Sequence, residues 1–235
     1  MANEKKRGGV GRWVLLGVVA LLLIILIGAG TFGHHLCHEL AGQRCEGMGV
    51  DRSAKALEDL TDTVTSAKIA DCSRIDTLRS FDIPSFDACF VSVGRNFQYS
   101  LEITSLLKEL GAKKVFSKAD EDIQAKFLLR VGADEVIYPE KDSARRLAVA
   151  ESSDSIFDCL PLTADYGIYE ITAPKKWVGK TILQLEIRRN YNVSVLALKN
   201  GSFLQPLPPV DHVFTESEHV MVLSRDEDLR RIIDR

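Results

Sequence analysis

The chain has 235 residues, is 46% hydrophobic and 27% charged, and carries a net charge of −3. That composition excludes wholesale disorder and argues against a protein that grips nucleic acid through bulk charge. Its five cysteines, Cys37, Cys45, Cys72, Cys89 and Cys159, are odd in number, scattered and without metal-ligand spacing; this argues against a disulfide scaffold or structural zinc and for a reducing compartment.

Lys5, Lys6, Arg7 and Arg12 precede an uncharged run from Trp13 to Gly33. Taken alone, such a run reads as a membrane anchor or a signal peptide. Its end, however, carries Gly28-Ala29-Gly30-Thr31-Phe32-Gly33, a turn that needs a strand before it, Leu22 to Ile27. What remains, Trp13 to Leu21, is about nine residues, too short to span a bilayer. The basic flank would also hold the N-terminal end in the cytoplasm and export everything after a single span. The reading is therefore a buried first strand behind an apolar extension, residues 1–20, for which contact with a membrane partner is one role.

From Leu22 the sequence alternates strand and helix. Leu22–Ile27 is all leucine and isoleucine, as suits a strand buried on both faces. A helix follows to Ala41, with Phe32, Leu36 and Leu40 on its inner face. Cys45–Val50 is a second strand ending at Asp51. Ser53 caps the next helix, with Ala54, Leu57 and Leu60 facing inward. Ser66–Ala70 predicts a third strand, Ser73–Phe81 a short helix, and Ala88–Val93 a fourth strand ending at Gly94. Gln98–Leu110 is a helix closed by Gly111. Lys114–Ser117 is a fifth strand and Asp120–Val131 a helix ended by Gly132. Glu135–Tyr138 is a sixth strand stopped by Pro139, and Lys141–Ala150 a charged helix. Repeated βα units predict an α/β fold, a Rossmann-like doubly wound parallel sheet over residues 21–150. After a polar linker, 151–156, the turn signals become denser, and residues 157–235 predict a small α+β domain. There Val193–Lys199 and Phe203–Leu204 flank Asn200-Gly201, a hairpin signal. Val220–Leu223 is the last strand and Arg225–Ile233 the last helix.

Gly28-x-Gly30-x-x-Gly33 gains weight from its context: an apolar strand before it, an amphipathic helix after it, and an acid at the end of the next strand. Gly28 permits the tight turn, Gly30 lets the backbone approach a pyrophosphate, and Gly33 lets helix pack on strand. Phosphates then meet free N–H groups at the helix start. Asp51, 23 residues after Gly28, is placed to bond ribose hydroxyls. Its charge favours an unmodified 2′-OH, an effect that Arg52 softens. The competing reading is a glycine turn that merely packs, with Asp51 as a helix cap. Asp71-Cys72-Ser73 follows the third strand, where Asp71 suits the adenine end of a nucleotide and, equally, an N-cap. Gly94-Arg95-Asn96 follows the fourth, where Arg95 suits a phosphate. Cys72 reads as a packed residue rather than a reactive thiol. His34, His35 and His38 lie along the first helix, where a surface or packing role outweighs metal binding. Phe127, Leu128 and Leu129 exceed what one helix face buries, which predicts self-association.

The order IGAGTFG, VD, ADCS, VSVGRN, SKA and VGADEVIYPEKDSARRLA resembles the RCK (regulator of K+ conductance, or KTN) domain. The stretch from Tyr166 to Ile233 resembles the attached RCK C-terminal, or TrkA-C, domain. The segment from Gly132-Ala133-Asp134 to Pro139-Glu140-x-Asp142 is the most specific part. With a single RCK unit, the chain is more similar to a Ktr-type subunit than to a tandem Trk-type one. The resemblance implies a non-enzymatic, nucleotide-sensing regulatory subunit of a membrane K+ transporter. It implies a cytoplasmic homo-oligomer, dimers assembling into a ring on the inner face of the cell membrane, that gates K+ uptake as ATP exchanges for ADP or as NAD/NADH binds.

The same resemblance maps Gly28, Ala29, Gly30, Thr31 and Phe32 onto the phosphate loop and Asp51 onto the ribose acid. It maps Asp71, Cys72, Gly94 and Asn96 onto adenosine-side or loop positions, and Lys118 onto the lysine of the KA motif. It maps Glu140 onto an acid near the subunit interface that can help bind a divalent cation. Arg188, Asn190 and the Pro206–Pro208 stretch fall where some relatives bind cyclic di-AMP. Thr31 departs from the arginine often found there, and Asp122-Ile123-Gln124 from the histidines often found before the GAD segment. The alternative function is an NAD-dependent oxidoreductase. Against it, the second domain is small and its histidines, His212 and His219, have no evident catalytic partner.

Overall fold

The computed structural model describes residues 22–43, 45–93 and 96–233. The apolar extension over residues 1–20 lies outside the described residues. Among those described, no helix is long and apolar enough to cross a membrane. The chain divides into two compact units after Ile137.

The first unit begins with β1 (Leu22–Ile27), α1 (Thr31–Ala41), β2 (Cys45–Asp51), α2 (Ala54–Glu58) and β3 (Ser66–Ile69). It continues with α3 (Ile75–Arg79), a 3₁₀ turn at Ile83–Ser85, β4 (Ala88–Val91), α4 (Phe97–Glu109), β5 (Val115–Lys118), α5 (Asp122–Arg130) and β6 (Glu135–Ile137). The six strands are all parallel, in the order β3-β2-β1-β4-β5-β6. The strand order reverses between β1 and β4, the place where a doubly wound sheet opens a crevice at its carboxyl edge. Ile24 to Ile27 are buried, as a central strand between two helical layers requires. One layer packs Ile25, Ile27, Val50, Leu78, Ile103, Leu107 and Val115; the other packs Leu26, Cys37, Leu57 and Leu60. Thr104 and Ser117, fully buried, satisfy each other at 2.8 Å between α4 and β5.

Several local expectations need correction. The fully buried residues of α1 are Gly33 and Cys37, with Phe32, Leu36 and Leu40 only partly covered; the small residues let the helix sit closer, so its inward face is rotated from the leucine stripe. Ala54 is exposed while Leu57 and Leu60 are buried, because α2 is a single turn whose first residue points to solvent. The helix expected over Ser73–Phe81 starts at Ile75, since Ser73 is held in a turn by Asp71. β4 ends at Val91 rather than Val93.

The second unit runs from Tyr138 to Arg235. It holds α6 (Pro139–Ala150), β7 (Ile156–Pro161), β8 (Tyr166–Thr172), α7 (Ile182–Leu185), α8 (Ile187–Tyr191), β9 (Ser194–Asn200), β10 (Phe203–Pro206), β11 (His219–Arg225) and α9 (Asp226–Ile233). Its sheet is antiparallel, in the order β10-β9-β11-β8-β7. Trp177, Ile171, Phe214, Val220 and Val222 centre its core. The expected boundary at residue 150 differs from the observed division. Pro139 occupies the first turn of α6 rather than only stopping β6, as its fixed φ and missing N–H allow. Arg146 of α6 then clasps Asp158 of β7 through both guanidinium branches, at 2.6 and 2.5 Å, so α6 belongs with the C-terminal sheet.

Candidate functional site

The carboxyl ends of β1, β2, β3 and β4 surround one cleft. Ile27, Gly28, Gly30, Val50, Asp51 and Arg52 line one part of it, and Ala70, Asp71, Cys72, Ser92, Val93, Tyr99 and Ile103 the rest. Of the expected site residues, Gly28, Gly30, Asp51, Arg52, Asp71 and Cys72 therefore come together. Ala29, Thr31 and Phe32 complete the loop and the first turn of α1.

The three glycines answer to different constraints. Gly28 sits at φ +100°, and a Cβ there would lie 2.5 Å from the Ser92 carbonyl oxygen. A Cβ on Gly33 would run into the carbonyl of Gly28. Gly28 is fixed by its left-handed backbone and by the chain leaving β4, Gly33 by the close approach of α1 to the glycine loop. Gly30 differs: its φ of −70° and ψ of −178° suit any residue, and a Cβ there meets no atom within 4 Å. As the N-cap of α1 it supplies no side chain to the helix's first N–H groups. The first intrahelical bond, His34 N–H to the Gly30 carbonyl, is made at 2.8 Å. The helix start thus keeps donors and the positive end of its dipole at the cleft.

Asp51 is tied into the backbone. One oxygen accepts from the Ala29 amide at 2.8 Å and the other from the Ser53 amide at 2.8 Å. The carboxylate thereby staples the glycine loop to the turn after β2, while Ser53 itself caps α2. Beside it, Arg52 lays its guanidinium over the Tyr99 ring, 4.4 Å from the centroid, and reaches to 3.9 Å from Asp71. Contact with Tyr99, ahead of the nearby carboxylates, raises the Arg52 pKa further. Asp71 accepts from the Ser73 hydroxyl at 2.7 Å and the Ser73 amide at 3.1 Å. The hydroxyl bond, chiefly, holds its carboxyl below the usual carboxylate range. Cys72 is buried, and desolvation pushes its thiol up to about 12, so it is a packed residue without thiolate character at neutral pH.

The remaining expected residues lie apart from that lining. Asn96 caps α4, accepting from the Gln98 and Tyr99 amides. Lys118, at the end of β5, pairs with Asp120 at 3.3 Å. Glu140 stands in the first turn of α6, in the second unit. Gly94 and Arg95 lie outside the described residues. Sequence reasoning missed Tyr99 and Ile103, which stand one helical turn apart on α4; the signal was an aromatic where a helix leaves a strand end. In the second unit, Arg188 lines a separate hollow with Leu183, Arg189 and Pro208, whereas the Asn190 amide is spent on the Leu185 carbonyl.

The TrkA-N domain matches residues 24–139 and the TrkA-C domain residues 167–235. The chain is 31% identical over 206 residues to Ktr system potassium uptake protein C of Bacillus subtilis (strain 168), covering 88% of this chain and 93% of that one. It is 30% identical to Ktr system potassium uptake protein A of the same organism, with the same coverage. Among solved structures, the GsuK RCK domain superposes with a TM-score of 0.65 at 14% identity, covering 94% of this chain and 49% of that one. The chain thus spans about half of that RCK structure, and the likeness establishes the fold. From the two domain matches in this order and the near full-length identity to both Bacillus proteins, the chain belongs to the TrkA-N/TrkA-C family of Ktr system potassium uptake proteins.

Proposed function

We propose that this chain is a non-enzymatic regulatory subunit of a K+ uptake system. Its first unit senses an adenine nucleotide, ATP/ADP or NAD/NADH. The observation that carries the reading is Gly30: the fold leaves it free to bear a side chain, yet glycine stands where α1 offers uncapped donors to a phosphate. Asp51 keeps lone pairs beyond its two backbone bonds, and a ribose hydroxyl donating to it competes with neither. Asp71, held ionised by Ser73, supplies an acceptor for the base amine. A related structure of the same fold, the GsuK channel, is described as bound to NAD, with a TM-score of 0.66, which supports the same ligand class here.

The near full-length relatives are potassium uptake proteins, which favours regulation over redox catalysis. Among the described residues lining the cleft there is no histidine, and the Cys72 thiol stays protonated. His212 and His219 are each engaged by a glutamate in the second unit, Glu218 and Glu170. An oxidoreductase would need an acid or base beside the nicotinamide.

The exposed apolar residues of α5 support assembly into a homo-oligomer, a ring of dimers: Ile123 and Phe127 stand one turn apart on its solvent side, and Leu129 is exposed as well, while Leu128 is buried. Such a ring would sit in the cytoplasm, on the inner face of the membrane, against the K+ transporter subunit. A divalent cation held by Glu140 would complete its shell with water or with ligands from a second subunit. The hollow beside Arg188 and Arg189 is the feature that supports a second, anionic ligand such as cyclic di-AMP. The test is titration of the purified full chain with ATP, ADP and NADH, paired with K+ uptake by the reconstituted transporter. Nucleotide-dependent uptake without nucleotide turnover is expected; turnover of NADH with a substrate would overturn the reading.

A further inference from the structure

The Tyr99 ring faces the cleft from the first turn of α4, with buried Ile103 one turn further along the same wall. One ring face is already covered by a flat cation, the Arg52 guanidinium, 4.4 Å from the ring centroid. That contact shows that the ring presents its π face inward and that a planar group fits against it. Arg52 itself is held there loosely. Its side chain is 54% exposed, and the Asp71 carboxylate lies at 3.9 Å. Tyr99 has a firmer seat, since its backbone amide is capped by Asn96. Asp71 and Asp51, both carboxylate acceptors, line the same cleft.

We propose that Tyr99 is the platform on which the nucleotide base stacks. The base takes the place of the Arg52 guanidinium over the ring, and Arg52 swings outward to solvent. The inference rests on the reading of this cleft as a nucleotide site and adds to it the residue that recognises the base. An aromatic platform accepts any base through its π face, so it contributes affinity, while the choice of adenine falls to Asp71.

The test is calorimetric titration of ATP into the full chain, Tyr99→Phe and Tyr99→Ala, the last two also in an Arg52→Ala background, with thermal unfolding to confirm folding. Loss of a base-stacking aromatic weakens binding roughly 5- to 100-fold, so Tyr99→Ala should lose affinity in that range and Tyr99→Phe should bind as the parent does. The same loss should persist when Arg52 is already alanine. If the loss vanishes in the Arg52→Ala background, Tyr99 acts only by positioning Arg52 and the proposal is overturned. If the parent binds ATP and Tyr99→Ala binds it equally well, the platform is refuted while the nucleotide reading stands. If the folded parent binds none of ATP, ADP and NADH, both fall together.

Discussion

Replacing Asp51 by alanine removes two short hydrogen bonds at once, those from the Ala29 and Ser53 amides. A hydrogen bond to a charged group contributes roughly 1.5–3 kcal/mol. Asp51 is half buried, so water can replace the partner of exposed Ser53 but not that of Ala29, which is buried. Taking the Ala29 bond near full value and the Ser53 bond as small gives a loss of about 2–3 kcal/mol. For a unit of this size that lowers the melting temperature by about 6–12 °C. Asp51→Asn keeps one acceptor oxygen and should fall between the alanine variant and the parent. Saturating ATP, which at a hundredfold over its dissociation constant adds about 2.7 kcal/mol to the parent, should protect Asp51→Ala less, because the proposed ribose contact would be lost as well. The assay is differential scanning calorimetry of the three proteins with and without ATP. An alanine variant that melts within about 2 °C of the parent would refute the staple on which this magnitude rests.

Two further outcomes follow from the same structure. Cys37, Cys72, Cys89 and Cys159 are buried and Cys45 is half exposed, with burial raising the Cys37 thiol to about 11 and the Cys72 and Cys89 thiols to about 12. At neutral pH, one thiol should therefore react quickly with an alkylating agent in the native protein, the other four only after unfolding; mass mapping after timed labelling checks this. In the second unit, the Arg146 guanidinium holds the Asp158 carboxyl below its ordinary value. A carboxylate depressed in this way adds stability above its unfolded pKa, near 3.9, and that stability is lost as pH falls through the lower folded value. Arg146→Ala should thus destabilise the unit near neutral pH and flatten its pH dependence below about 4, as read by melting curves from pH 7 to pH 3.

Much of the fold was legible because its signals are local and redundant. The strands of the first sheet alternate with helices whose ends are marked by Ser53, Asn96, Gly111 and Gly132, and Asn200-Gly201 marks the β9–β10 hairpin by turn chemistry alone. Glycine positions 28 and 33 could be read for the same reason, since each answers to backbone crowding. What escaped depended on tertiary contact. The rotation of α1 toward Gly33 and Cys37 is set by how closely the helix meets the sheet, not by its leucine spacing. Helix α6 falls in the second unit, where Val149 packs against the core and Arg146 pairs with Asp158 of a different element. Nothing in the local sequence sets Tyr99 apart within its helix; its role depends on Arg52, from a distant strand end, lying on its ring. Asp51 was legible as an acid at a strand end, but its structural duty toward Ala29 and Ser53 was not.

A glycine loop built for a phosphate, and not merely for packing, should be exposed by Gly30→Val. The backbone at Gly30 suits valine and a Cβ there meets nothing within 4 Å, so the variant should melt with the parent. Its side chain would nonetheless project where the diphosphate must lie against the start of α1. Calorimetric titration of ATP, ADP and NADH into the full chain and into Gly30→Val should show binding in the parent and its near abolition in the variant. A folded variant that binds all three as the parent does would contradict the account and leave the loop a packing turn.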